Sequence, residues 1–179
     1  MIKKERLKQS FFYTCLMVAA ASSVSLIGGI GLEAISEKLL PIIPLLIATP
    51  PLNTMVGDYA SVIAARATDG KLRNHPQLEL ARDLAPSIML NASAVSVVSL
   101  GVAISRHYAL STVFLSKFII FVFASIIGVV VAMLIITKTV DKLLESKTAN
   151  PDDVLIPIVT SVTDVLMLGL ITAAALWLF

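Results

Sequence analysis

One cysteine and two histidines are all the thiolate or imidazole ligands that this chain of 179 residues has. Cys15 has no second cysteine to pair with. Inside an apolar run we expect it to pack as a small hydrophobic group. His75 and His107 fall in different loops and do not make a metal-ligand pair. Charge is scarce as well: 15% of residues are charged and the net charge is +2, which excludes a nucleic-acid-binding surface. No nucleophile–base pair, no phosphate-cradling glycine loop and no haem pattern is present, so we do not expect an enzyme.

What the chain does have is apolar surface. Hydrophobic residues make up 57% of it and the mean hydropathy is +0.91, more than a soluble domain of this size needs. We read an all-α polytopic membrane protein, one membrane domain over residues 1–179. The start, Met1-Ile2-Lys3-Lys4-Glu5-Arg6-Leu7-Lys8, has the charge of a signal peptide. The run after it, Phe11 to Leu32, is 22 residues long and has no clear cleavage motif, so we read a retained first span.

Five apolar segments follow from hydropathy: Phe11 to Leu32, Leu39 to Ala65, Leu84 to Ser105, Phe118 to Ile136 and Val154 to Phe179. Each is near or above the ~20 residues that a spanning helix needs. The second contains Pro41, Pro44, Pro50, Pro51 and Gly57, so a kinked or broken helix is expected there. Small residues in the first, from Ala19 to Ser23 with Gly28, Gly29 and Gly31, suit close helix packing.

The basic residues set an orientation. The N-terminus, the loop after the second segment and the loop after the fourth together hold eleven of the 14 Lys and Arg. Only Lys38, Arg106 and Lys117 lie on the other side. The N-terminus is therefore expected in the cytoplasm and the C-terminus outside the cell membrane. Lys138, Lys142 and Lys147 would meet lipid phosphate. Five spans without an internal repeat cannot form a two-fold pathway from their own halves, so a symmetric pore would need a homodimer.

Two carboxylates interrupt these segments. Asp164 lies ten residues into the last one, ~15 Å from its start by helix rise, near the membrane midplane. Asp58 lies eight residues before Arg66, or ~12 Å from the same side. We therefore expect the two at nearly one level. A charge at that depth costs several kcal/mol unless water, a cation or a partner meets it.

Pro50, Thr54, Gly57, Asp58, Ser61 and Ala65 share a helix face, as do Asp153, Pro157, Thr160 and Asp164. Oxygen ligands without thiolate or imidazole suit a hard cation such as magnesium or calcium. Asn53 precedes Asp58 in the interrupted region and is a candidate lining residue. The competing reading for either carboxylate is interhelical glue, and for Asn91 glue is the preferred one. Asp152 and Asp153 would cap the last helix or add charge at a cytoplasmic mouth.

The run Pro151-Asp152 … Pro157 … Thr160 … Asp164, closing a fifth span, resembles the last helix of MgtE-type magnesium transporters and their relatives in solute carrier family forty-one. Pro51 … Asn53 … Gly57-Asp58 … Ala65-Arg66 resembles the same family's second-span signature, with Gly57-Asp58 where the family has Gly-Asn. The resemblance implies a magnesium or other divalent-cation pathway between two protomers. Asp164 would bind the ion, and Thr160, one turn earlier, would line the site. Asp58 would add negative charge. The resemblance also implies a regulatory cytoplasmic part with CBS domains, which we expect to be missing here. Regulation would then fall to a separate protein. A sodium- or proton-coupled exchanger and a non-transporting membrane scaffold are the rival expectations.

Overall fold

A computed structural model describes residues 2–68, 77–144 and 151–179. Among the described residues there are six helices and no strand: α1 Ile2–Ala34, α2 Ser36–Leu39, α3 Ile43–Thr68, α4 Gln77–Ser105, α5 Thr112–Leu144 and α6 Pro151–Trp177. Among the described residues three stretches are long and apolar enough to cross a membrane by length and composition, Arg82–Ser105, Thr112–Val140 and Leu155–Trp177. A shorter apolar stretch, Val18–Ala34, lies in α1. Prolines, threonines, Asn53 and Asp58 dilute the hydropathy of α3.

The interruption expected in the second segment sits at its start. The chain turns at residues 40–42 between α2 and α3, at Pro41. Pro44 then falls in the first turn of α3, where its missing N–H is not needed. From Ile43 the helix continues to Thr68 with Pro50 and Pro51 inside it. Neither proline can donate to the carbonyl four residues back. Hydroxyls nearby tie to the same backbone: Thr49 Oγ1 donates to Leu45 O at 2.8 Å and Thr54 Oγ1 to Pro50 O at 3.1 Å. The carbonyls that the two prolines leave without a helical donor are those of Leu46 and Ile47, not these.

α6 packs against α1, α3 and α5, while α3 also packs against α4 and α5. The buried positions recur at helical spacing. They are Leu45, Ala48, Leu52, Val56, Ala60 and Ile63 on α3, and Phe118, Val122, Ile126, Val129 and Met133 on α5. On α6 they are Leu155, Val159, Thr163, Met167 and Ile171. Ile120, Ile127, Val131 and Ile135 point outward from α5, as a lipid-facing stripe does. α1 comes very close to α6 at Gly28, where an added Cβ would lie 2.8 Å from Leu168 Cδ1. A small side chain there would displace the end of Leu168, while a large one would press on Val165 as well.

The C-terminal end of α4, the start of α5 and the end of α6 are tied by a few local devices. His107, at φ 57°, takes the left-handed position after α4, and Tyr108 N–H donates to Ala103 O at 3.0 Å. That is a Schellman-type cap made without glycine. Ser111 Oγ accepts from Phe114 N–H at 3.1 Å and caps the start of α5. Phe179 packs against Phe114, Phe118 and Phe121, and Lys117 Nζ donates to Leu178 O at 3.1 Å. Cys15 is exposed, contrary to the packed thiol expected, with no described residue covering it.

Candidate functional site

Asp164 is half-buried at the middle of α6, and both its oxygens are met by side chains from other helices. Ser25 Oγ on α1 donates to Oδ2 at 2.9 Å. Asn53 Nδ2 on α3 donates to Oδ1 at 3.1 Å. Acceptance on both oxygens is the role a carboxylate has. With Nδ2 turned to Asp164, Asn53 Oδ1 is buried without a hydrogen-bond partner among the described residues. The three helices therefore meet around one acid.

Beside the acid a groove of about 690 Å³ runs between α1 and α6. Ser22, Ser25, Pro157, Thr160, Ser161 and Asp164 supply its polar wall and its proline, and Val18 and Leu26 part of its apolar wall. Two of these hydroxyls spend their protons on their own helix. Thr160 Oγ1 donates to Ile156 O at 2.9 Å, with Pro157 O at 3.2 Å, and Ser161 Oγ donates to Ile158 O at 3.0 Å. Their remaining capacity is as acceptors, which suits the hydrogens of a cation's water shell.

Asp58 is elsewhere. Asn53 reaches Asp164 directly, and Asp58 lies five residues further along α3, about 7.5 Å by helix rise and about 140° around the axis. The shared level expected for the two carboxylates is therefore replaced by an offset of more than a turn. The reason is that Asn53, not Asp58, faces α6. Asp58 is exposed, and no described residue gives it a hydrogen bond or an ion pair. Thr54 is exposed beside it, and Gly57 and Ser61 are half-buried. Nothing stands within 4 Å of a Cβ placed on Gly57, and Ser61 Oγ donates to Gly57 O at 3.1 Å. Together they form an open, small and oxygen-bearing face of α3.

Asn91 joins α4 to α3: its Nδ2 donates to Tyr59 Oη at 2.8 Å, next to Ser87 Oγ at 3.1 Å from the same phenol. Arg66 and Asp83 form an exposed ion pair at 2.9 Å, tying α3 to α4. The side chain of Asp153 and the loop residues Lys71, Arg73, His75 and Lys147 lie outside the described residues. Among the described residues no group of three or more His, Cys, Asp or Glu could hold a metal. Among the described residues Asp164 is a single acid among neutral oxygens.

Ser25 is the site residue that sequence reading missed. In the run Ala19 to Ser23 with Gly28, serine reads as one more small packing residue. The spacing of Ser22, Ser25 and Gly29, which share one helix face, is the signal that would have picked it out.

A family model described as MgtE, divalent cation transporter, matches residues 43–174, which spans α3 to α6 and includes both Asp58 and Asp164. No curated protein and no solved structure matches the chain. The match covers most of the chain and describes a family of transporters, not of enzymes, so this protein belongs to the MgtE family of divalent cation transporters.

Proposed function

We propose that the protein carries divalent cations, magnesium foremost, across the cell membrane, with Asp164 as the group that captures the ion. The observation that carries this reading is a half-buried carboxylate deep in an apolar helix, held by α1 and α3 and open to a largely apolar groove into which Ser22, Thr160 and Ser161 bring hydroxyls. Such an acid is expensive in a bilayer unless it serves an ion or a partner. Its ligand set is all oxygen, which fits a hard cation that keeps most of its water.

In this reading α1 and α3 also cross the membrane, giving five spans with the N-terminus in the cytoplasm and the C-terminus outside. Two protomers pair, and the Asp164 of each adds negative charge to one pathway. The open face of Asp58, Thr54, Gly57 and Ser61 lines that pathway on the cytoplasmic side, and Pro157 and Thr160 line it near Asp164. The ion moves down its electrochemical gradient. At 100 mV, inside negative, a divalent ion gains ~4.6 kcal/mol by entering.

The test is magnesium influx into proteoliposomes under a membrane potential, with no sodium or proton gradient. Influx under those conditions is the expected result. Influx that begins only when a sodium or pH gradient is added would replace the passive pathway with an exchanger. No flux under any gradient would make the protein a scaffold whose acids hold helices together.

A further inference from the structure

The long helices are not held alike. α3, α4, α5 and α6 each bury apolar side chains, whereas no described side chain of α1 is buried. α1 packs chiefly on α6. Its half-buried positions, Ala21, Ser25, Gly28, Leu32 and Ile35, recur every three or four residues, the spacing of a narrow two-helix seam. Among the described residues, Ser25 is the one side chain of α1 that hydrogen-bonds another helix, and its acceptor is Asp164 Oδ2. The groove of about 690 Å³ leaves that flank of α1 unpacked. At its C-terminal end α1 is jointed to the bundle. Ile35, at φ −111° and ψ 9°, interrupts the helix, and Leu39 in α2 beyond it is buried.

We propose that α1 is a latch on Asp164. With Ser25 on Oδ2 and Asn53 on Oδ1 the carboxylate is closed, and α1 tilts away about Ile35 when an ion takes Oδ2. The proposal rests on Asp164 as the group that captures the ion, and it adds how access to that group is regulated. Ser25 lies ten residues from Ile35, about 15 Å along the helix. Withdrawing its hydroxyl by one water diameter, about 2.8 Å, takes a tilt of about 11°. α3 does not yield in this way, because Leu45, Ala48, Leu52 and Val56 anchor it in the core. Docked α1 and an ion on Oδ2 therefore exclude each other, and the ion shifts α1 toward the open position. One interhelical hydrogen bond in a membrane biases such an equilibrium about threefold on average, and less than about twentyfold.

The experiment locks the seam. A Cβ on Gly28 lies 3.7 Å from Val165 Cα, close enough for a disulfide once Leu168 Cδ1 moves aside. Gly28→Cys and Val165→Cys are combined in a Cys15→Ala background and reconstituted in proteoliposomes. Oxidation should abolish magnesium influx and reduction should restore it, the reduced protein serving as the control for folding. Before oxidation, Mg2+ should slow disulfide formation about threefold or more, relative to K+ at equal ionic strength. Equal influx in the oxidised and reduced forms, or a cross-linking rate that Mg2+ leaves unchanged, would overturn the latch.

A second variant decides the matter if the paired cysteines themselves halt influx. Ser25→Ala, which removes the donor, should raise influx at low Mg2+ about threefold, and Ser25→Thr, which keeps it, should not. Influx through Ser25→Ala at or below the wild-type rate would overturn the latch. Asp164→Asn, run alongside, separates this failure from that of the transport reading. If it abolishes influx while the latch results fail, Asp164 remains the capture group without a latch. If it conducts as the wild type does, both fall.

Discussion

Asp164 and Asp58 are both carboxylates within helices, yet the fold treats them in opposite ways. Asp164 is half-buried and takes a hydrogen bond on each oxygen from two other helices. Asp58 is exposed on the open face of α3, with no partner among the described residues. The chain itself stabilises the first. Among the described residues nothing stabilises the second, whose exposed face is open to water, a cation or a second copy. The difference teaches that a carboxylate's depth in a hydropathy plot does not say whether it belongs to a site. The face it occupies, and the residue one or two turns away that faces the neighbouring helix, decide that. Here Asn53 takes the place beside Asp164 that the sequence pattern suggested for Asp58.

Four substitutions break or sharpen this contrast. Gly28→Leu should have the largest effect. Its side chain would be driven into Leu168 and Val165, forcing α1 away from α6 and separating Ser25 from Asp164. Overpacking of this kind costs about 1–3 kcal/mol, so the melting temperature in detergent should fall markedly. Asn53→Ala should come next, leaving Asp164 Oδ1 without its donor. Interhelical hydrogen bonds in membranes average about 0.6 kcal/mol and reach about 1.7, and this one, to a carboxylate, should lie toward the upper end.

Tyr59→Phe removes the phenol that joins Ser87 and Asn91 between α3 and α4. It should cost near the average of about 0.6 kcal/mol, seen as a small drop in melting temperature with magnesium flux unchanged. Asp58→Asn should affect stability least, since no described residue bonds to Asp58. Its effect should fall on transport, as weaker discrimination of Mg2+ against Na+ measured by competition flux.

Much of the fold was legible because hydropathy speaks plainly in α5 and α6. The runs from Phe118 to Ile136 and from Val154 to Phe179 each lie inside an observed helix, apart from the last residues of α6's run. Asp164 stood out because nothing charged surrounds it. The second segment was harder. Four prolines suggested a break anywhere along it, and the observed turn lies at Pro41, ahead of a helix that continues past Pro50 and Pro51. Proline identifies a lost hydrogen bond, not whether the packing of α3 on its neighbours keeps the helix intact. The contact of Ser25 with Asp164 spans 139 positions of sequence, and no local pattern encodes it. Serine among alanines and glycines carries the same signal whether it packs or donates.

The measurement that bears most directly on the central claim is magnesium influx into proteoliposomes made with the wild type, Asp164→Asn and Asp58→Asn, each shown to assemble as the wild type does. The account predicts that Asp164→Asn abolishes influx while Asp58→Asn retains it with poorer ion discrimination. Wild-type influx through Asp164→Asn would contradict the account, because the acid held by Ser25 and Asn53 would then be no more than a clasp between helices.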